Sequence, residues 1–137
     1  MARHVIAPTA EFPAGSRRLV TIDGRAIAIF NVKGEYYAML NRCPHNGGSL
    51  VDGMVTGLVQ STTPGDYAYS RAGEVIRCPW HGWEFDLRTG KSFCSGIRAR
   101  ARQFPVHTEP GKDIIEGPYT AETLPVTVEN DYVVLEA

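Results

Sequence analysis

Apolar and polar residues alternate in short runs through the first third of the chain, and turn-forming pairs separate these runs. Asp23-Gly24 and Lys33-Gly34 are two such pairs, and each lies between segments rich in residues that favour strands. The pattern predicts an antiparallel meander whose three strands cover residues 19–22, 26–30 and 36–40. The third strand leads to Cys43, so a loop that begins there is predicted to follow the end of a strand.

A long turn-rich interval follows in the middle of the chain. Residues 60–66 have the composition of an exposed turn, and more apolar segments at residues 54–59 and 67–69 flank them. We therefore expect a long hairpin or loop in this interval. Residues 74–77 then predict a short strand that leads into Cys78.

The last part of the chain continues the pattern of strands and turns. Residues 88–91 have the composition of a tight turn between short segments at residues 84–87 and 92–93. Residues 105–118 are predicted to be loop-rich because prolines and glycines recur there. The chain is predicted to close with a terminal hairpin that turns at residues 129–131 and joins residues 124–128 to 132–135.

No segment has a convincing helical period, and the chain contains no repeat, low-complexity tract or phosphate-binding glycine motif. The 14 glycines and 9 prolines are spread along the sequence, which indicates many short strands and turns. The predicted fold class is all-β. A length of 137 residues fits one domain, residues 1–137, with a core of its own.

Composition and charge narrow the range of partners. Apolar residues make up 43% and the formal net charge is −1, so neither disorder nor a nucleic-acid-binding surface is indicated. No stretch has the length and apolar character of a signal peptide or a membrane span, so we expect a cytoplasmic protein without a membrane partner. The cysteines are odd in number and do not suggest a disulfide scaffold, which favours metal binding by some of Cys43, Cys78 and Cys94.

Two short motifs bring cysteine and histidine together. The sequence C-P-H-N-G-G begins at Cys43, and C-P-W-H-G-W-E-F-D begins at Cys78. Two thiolates and two imidazoles suit either a tetrahedral zinc ion or a [2Fe-2S] cluster in which histidines replace two cysteines on one iron. Structural zinc sites usually take ligand pairs of one kind from each segment. Here each loop supplies one cysteine and one histidine, which favours the cluster.

The motifs C-P-H-N-G-G-S-L and C-P-W-H-G-W-E-F-D resemble the ligand loops of the Rieske iron–sulfur family. The resemblance implies one [2Fe-2S] cluster per chain, with the inner iron bound by Cys43 and Cys78 and the outer iron by His45 and His81. It also implies a Rieske-type fold of antiparallel β-sandwich or barrel-like sheets. A cluster-binding subdomain of two hairpin loops is expected at about residues 41–50 and 78–86.

Residues beside the ligands indicate a branch of this family. High-potential members carry a disulfide across the two loops, but the matching positions here are Gly48 and Trp80. Those members also place serine and tyrosine hydroxyls near the cluster, where they stabilise the added electron. The matching residues here are Trp83 and Phe85, which have no hydroxyl. The resemblance therefore implies the low-potential, ferredoxin-type branch, with a midpoint potential of about −150 mV.

This branch implies an electron carrier that is not an enzyme by itself. We expect it to take single electrons from a flavoprotein reductase and pass them to a terminal non-haem iron oxygenase that acts on an aromatic or related substrate. Two alternatives stay open: a redox subunit of another oxidoreductase, similar to the small subunit of nitrite reductase, and a zinc-stabilised interaction module. His4 and His107 are far apart in sequence and are expected to be surface or structural residues rather than a second metal site.

Three features outside the motifs are open to two interpretations each. The interval between the loops is longer than in common stand-alone Rieske ferredoxins, and its extra residues, 58–73, form either a docking element or an inert hairpin. Cys94 is expected to be a small buried hydrophobe rather than a redox thiol. If the segment is extended, one of its faces carries Arg98, Arg100 and Arg102. This face is either solvated or a docking surface for an acidic partner.

Overall fold

The computed structural model describes residues 3–44, 47–63, 65–79, 83–93, 100–116, 127 and 129–137. Within these ranges the chain forms ten strands: β1 (Arg3–Pro8), β2 (Arg17–Ile22), β3 (Arg25–Val32), β4 (Glu35–Leu40), β5 (Met54–Thr63), β6 (Asp66–Arg77), β7 (Glu84–Asp86), β8 (Gln103–Phe104), β9 (Val106–Pro110) and β10 (Asp131–Glu136). The helical elements are α1 (Gly111–Glu116) and the 3-10 turns Thr9–Glu11 and Leu50–Asp52.

The strands form three sheets in which every pair is antiparallel. In the first sheet β10 lies between β1 and β9, the second has the order β2-β3-β4-β8, and the third has the order β5-β6-β7. The predicted all-β fold is confirmed. In the part of the chain that the structure describes, no helix has the length and apolar character needed to cross a membrane.

Two-residue turns connect β2 to β3 and β3 to β4. Asp23 and Gly24 have φ angles of 51° and 77°, and Lys33 and Gly34 have φ angles of 53° and 94°. Positive φ at both central positions gives a turn whose twist matches that of the flanking strands. The predicted three-stranded meander is therefore confirmed, and its strands extend one or two residues beyond the predicted ends.

The long hairpin predicted in the middle of the chain is confirmed as β5 and β6. The short strand predicted after it is the C-terminal end of β6 rather than a separate element. Thr56 pairs with Val75, whereas Leu58 pairs with Ser70, so residues 71–74 of β6 bulge out of the ladder. The side chains of this bulge are therefore free to face residues outside the hairpin.

The tight turn predicted at residues 88–91 is also confirmed. Gly90 N–H donates a 2.7 Å hydrogen bond to the Asp86 carbonyl, and Asp86 N–H donates one of 2.9 Å to the Lys91 carbonyl. Phe85 then forms an antiparallel bridge with Ser92. This turn holds the residues that follow the second motif against the third sheet.

The first sheet departs from the prediction. The expected terminal hairpin is wrong, because residues 132–135 of β10 already pair with β1 on one edge and with β9 on the other. Residues 124–126 and 128, from the other arm of that hairpin, lie outside the described residues. The segment predicted to be loop-rich contains β9 and α1 instead. No strand was predicted at the N-terminus, where β1 lies.

The second sheet is the middle layer and is buried on both faces. Ile29 joins an apolar cluster with Leu135 of the first sheet. Phe30, on the opposite face of β3, joins a cluster with Ile76 and Phe85 of the third sheet. Burial on both faces explains why β3 is apolar at nearly every position. The cluster between the second and third sheets is the one that contains both motif cysteines.

Candidate metal centre

The first motif begins three residues after the end of β4. Cys43 N–H donates a 2.8 Å hydrogen bond to the Gly48 carbonyl, and Gly47 N–H donates one of 2.8 Å to the Cys43 carbonyl. Gly47 has a φ of 79°, a conformation that glycine adopts at little cost. These hydrogen bonds close the base of a loop. His45 and Asn46, which lie within the loop in sequence, are outside the described residues.

The second motif begins directly after β6. Cys78 N–H donates a 2.7 Å hydrogen bond to the Trp83 carbonyl. Arg77, the residue before Cys78, pairs with Glu84 of β7, so the motif occupies the loop of a hairpin. Three residues of this loop lie outside the described residues: Trp80, His81 and Gly82.

The two cysteines share one apolar core cluster. Cys43 is 1% exposed and Cys78 is 2% exposed, and both belong to the cluster that includes Leu50, Ile76 and Phe85. One thiol comes from the end of the second sheet and the other from the third sheet. Two soft donors that converge in a site screened from water fit the thiolate half of a zinc site or of an iron–sulfur cluster.

The other half of the predicted donor set is not described. His45 and His81 lie outside the described residues, and among those that are described no third potential ligand joins the two cysteines. The four-ligand set is therefore a prediction whose thiolate half is consistent with the structure. The C-x-H and C-x-x-H spacings keep each histidine within the loop that its cysteine begins.

Two residues that the sequence analysis missed support the first loop. Asn41 donates a 2.8 Å hydrogen bond from Nδ2 to Ser49 Oγ and accepts one of 2.7 Å at Oδ1 from Val51 N–H. Arg17 donates hydrogen bonds of 2.9 and 2.6 Å to the carbonyls of Val51 and Gly53. An asparagine between a strand and a motif is a local signal that could have identified Asn41. Arg17 has no such signal, because it acts across 34 positions of sequence.

Trp83 and Phe85 line the same cluster beside the cysteines. Phe85 is fully buried, and Trp83 is partly buried against the cluster. Their ring centroids lie 6.4 Å apart with an angle of 38° between the planes. These are the positions at which the resemblance to high-potential members would require hydroxyl donors. Here they supply aromatic packing instead.

A network of charged side chains fixes the bulge of β6 against its neighbours. Glu74 accepts hydrogen bonds from Lys33 (2.9 Å), Arg88 (2.9 Å) and Arg71 (3.3 Å). Arg71 also donates to Asp86 at 2.8 Å. The Lys33 hydrogen bond, reinforced by Arg71, lowers the pKa of Glu74 from 4.5 to about 2 although burial acts in the opposite direction. The network joins the second sheet to β6, the strand that leads into Cys78.

The two histidines outside the motifs lie in a different part of the fold from the motif cysteines. His4 is on β1 and His107 is on β9, where its Nε2 lies 3.1 Å from Glu109 Oε1. Both strands belong to the first sheet, whereas the cysteines lie between the second and third sheets.

The remaining features outside the motifs are described only in part. Cys94 and Arg98 lie outside the described residues. Arg100 and Arg102 are exposed on either side of the buried Ala101, which agrees with the predicted alternation. Residues 58–63 and 65–73 form the outer part of the hairpin of β5 and β6, and the role of residues 58–73 in docking stays a prediction.

Comparison with known proteins identifies relatives. A sequence model of the Rieske [2Fe-2S] domain matches residues 2–105. The chain is 29% identical over 106 residues to the ferredoxin component of the naphthalene 1,2-dioxygenase system of Pseudomonas aeruginosa, which covers 77% of this chain and 86% of that protein. It is 31% identical over 118 residues to the 3-phenylpropionate/cinnamic acid dioxygenase ferredoxin subunit of Escherichia coli (strain K12), which covers 86% of this chain and 96% of that protein.

Solved structures show the same fold. A chain from the complex of reduced oxygenase and oxidized ferredoxin in carbazole 1,9a-dioxygenase superposes with a TM-score of 0.60 at 22% sequence identity. The match covers 96% of this chain and 91% of that chain. The three antiparallel sheets described above are thus an arrangement already known from experiment.

Proposed function

Because the chain belongs to the Rieske [2Fe-2S] domain family, we propose that it is a ferredoxin that carries single electrons from a flavoprotein reductase to a terminal non-haem iron oxygenase. The oxygenase acts on an aromatic or related small molecule. In this proposal the chain is not an enzyme by itself but an electron-transfer component of a dioxygenase or monooxygenase system. The relatives support this proposal, since each is named as the ferredoxin component or subunit of a dioxygenase.

The observation that carries the proposal is the convergence of two buried thiols at the bases of two hydrogen-bonded loops. We propose that Cys43 and Cys78 bind the inner iron of one [2Fe-2S] cluster and that His45 and His81 bind the outer iron. When bound, the cluster accepts and donates one electron at a time. The chain holds the thiolates in an apolar environment that excludes water, with Cys43 and Cys78 only 1% and 2% exposed.

The residues around the cysteines support a low potential. Trp83 and Phe85 line the apolar cluster, and neither side chain has a hydroxyl group that could donate to sulfur. Fewer hydrogen bonds to sulfur leave the reduced, more negative state less stabilised. The proposed midpoint potential is therefore near the lower end of the Rieske range, at about −150 mV. That potential suits electrons from a flavoprotein.

The relatives also favour a mobile carrier over the two alternatives raised by the sequence. Neither relative is named as a nitrite reductase subunit or as a zinc protein. The cytoplasmic location expected from the sequence stays a prediction.

Reconstitution tests the proposed function. The purified chain is mixed with a reductase and an oxygenase from the same organism, and substrate hydroxylation is followed with and without the chain. We expect turnover to depend on the chain and to be lost in Cys43→Ser and Cys78→Ser variants whose far-ultraviolet circular dichroism matches that of the wild type. Turnover without the chain, or a chain that never dissociates from one partner, would contradict a mobile carrier.

A further inference from the structure

An open cavity of about 470 Å³ lies beside the first loop. Its walls come from the turn between β2 and β3 at residues 24–26, from residues 40–42 and from Gly47. Two arginines, Arg25 and Arg42, therefore face it. Arg42 directly precedes Cys43, and its Nε lies 3.4 Å from the position that a Cβ on Gly47 would occupy. The cavity thus opens next to a predicted cluster ligand.

The arginines at this cavity have no acidic partner among the described residues. Every described ion pair of an arginine involves Arg3, Arg71, Arg77 or Arg88. Arg25 instead places its guanidinium carbon 5.2 Å from the centroid of the Phe104 ring, and Arg102 places its own 4.9 Å from the same centroid. Arg25 and Arg42 therefore line this cavity without an ion pair to a described carboxylate, and Arg102 contacts the same Phe104 ring as Arg25.

Such an arrangement favours binding of carboxylates. The guanidinium group is planar and presents paired N–H donors that match both oxygens of a carboxylate. Contact with Phe104 restrains Arg25, which reduces the entropy lost when it binds a partner. Arg42 is exposed and lines the same cavity, so it adds a second guanidinium group to the site.

We propose that this cavity binds acidic side chains on the surface of the flavoprotein reductase that donates the electron. The proposal rests on the proposed function and names the partner that docks beside the first loop. One electron passes from the reduced flavin of the reductase to the oxidised chain, and no bond is formed or broken. The chain gains one negative charge close to the cavity.

The sign of that charge selects the reductase as the partner. A negative charge beside Arg25 and Arg42 weakens their attraction for carboxylates. Binding is then stronger before the chain accepts the electron and weaker afterwards, which favours release from the donor. An electron acceptor docked at the same cavity would bind the reduced chain less tightly than the oxidised chain. Delivery of the electron requires the opposite order of affinities.

The test compares two double variants that each remove two positive charges. Arg25→Gln with Arg42→Gln changes the cavity. Arg18→Gln with Lys112→Gln is the matched control, because neither residue has a described ion pair and Arg18 is near the far end of β2 from the cavity. The reductase is the flavoprotein of the same organism that reduces the wild-type chain. Its binding to each oxidised chain and the rate of reduction are measured over a range of salt concentrations.

In the cavity variant, we expect the affinity for the reductase and the rate of reduction each to be about five- to tenfold lower than in the wild type at low salt. Both losses should be smaller at high salt. The control should stay within about twofold of the wild type, and Arg42→Lys, which keeps the charge but loses the paired donors, should lose less than the cavity double variant. Reduction by dithionite, cluster absorbance and delivery to the oxygenase should be unchanged in all variants.

Equal losses in the two double variants, unchanged binding of the reductase, or a loss confined to delivery to the oxygenase would each overturn the docking proposal. A wild-type chain that no reductase reduces would instead contradict the proposed function. The two failures are therefore distinguishable.

Discussion

Lys33 Nζ donates a 2.9 Å hydrogen bond to Glu74 Oε2, and this ion pair joins the turn between β3 and β4 to the bulge of β6. Glu74 is only 8% exposed, and Arg71 and Arg88 donate to its other oxygen. A buried carboxylate with three cationic partners is stabilised in its charged form. The strand that leads to Cys78 is thereby held against the middle sheet.

Replacing Glu74 by glutamine should destabilise the folded chain by about 1–3 kcal/mol at neutral pH, because its three cationic partners lose a charged, buried acceptor. Urea unfolding followed by circular dichroism measures this change. Glu35→Gln is the matched control: Glu35 also meets Arg88, at 3.3 Å, but its side chain is 64% exposed. The control substitution should lower the free energy of unfolding by less than about 0.5 kcal/mol. Equal costs for the two variants would show that burial of Glu74 contributes nothing.

The same carboxylate predicts a pH dependence. The pKa of Glu74 is lowered from 4.5 to about 2 in the folded chain, so its contribution to stability is complete above pH 4.5 and is lost as the pH falls toward 2. The difference in unfolding free energy between the wild type and Glu74→Gln should therefore narrow over that range. Unfolding curves at successive pH values, with cluster absorbance followed alongside, test this. A difference that stays constant down to pH 3 would rule out the linkage.

Adding hydroxyl donors near the cysteines should raise the midpoint potential. The double variant Trp83→Ser with Phe85→Tyr places hydroxyls at the two positions that lack them, and hydrogen bonds to sulfur favour the reduced cluster. A rise on the order of tens of millivolts is expected by potentiometric titration. Trp83→Ala with Phe85→Leu is the control, since it removes the rings without adding donors. An unchanged or lowered potential in the folded hydroxyl variant would show that the explanation is wrong.

The electron is expected to leave at the tip that carries the two histidines. A brief encounter favours a small, mostly apolar contact surface, which the sequence places at Pro44, Asn46, Pro79 and Trp80. Asn46→Glu should therefore slow delivery to the oxygenase several-fold while the absorbance and potential stay nearly unchanged. Arg100→Ala should have little effect if the exposed arginine is merely solvated. If delivery is slowed in Arg100→Ala and not in Asn46→Glu, the electron leaves instead from the face that carries Arg100.

Much of the fold could be predicted because its signals are local. Asp23-Gly24 and Lys33-Gly34 each fix a two-residue turn, so β2, β3 and β4 follow directly from the sequence. The strand β10 follows from the sequence, but its pairing with β1 does not, because β1 is more than 120 residues away and nothing local specifies that pairing. α1 was missed because six residues are too few to show a helical period.

The ligand loops were recognisable for a similar reason. Only one or two residues separate the cysteine from the histidine in each motif, so the four donors can be identified from short segments. The burial of Cys43 and Cys78 in one cluster depends on packing between two sheets, which no local pattern shows. The support from Arg17 likewise became apparent only when the tertiary contacts were known, whereas Asn41 has a local signal in its position between β4 and the first motif.

The most direct test of the central claim is the metal and sulfide content of the chain purified without oxygen. The proposed ligand set predicts a red-brown protein with two irons and two acid-labile sulfides per chain. Its reduced form should give an electron paramagnetic resonance signal typical of mixed cysteine and histidine ligation. A colourless protein that holds one zinc ion would contradict the assignment of Cys43, His45, Cys78 and His81 to a [2Fe-2S] cluster.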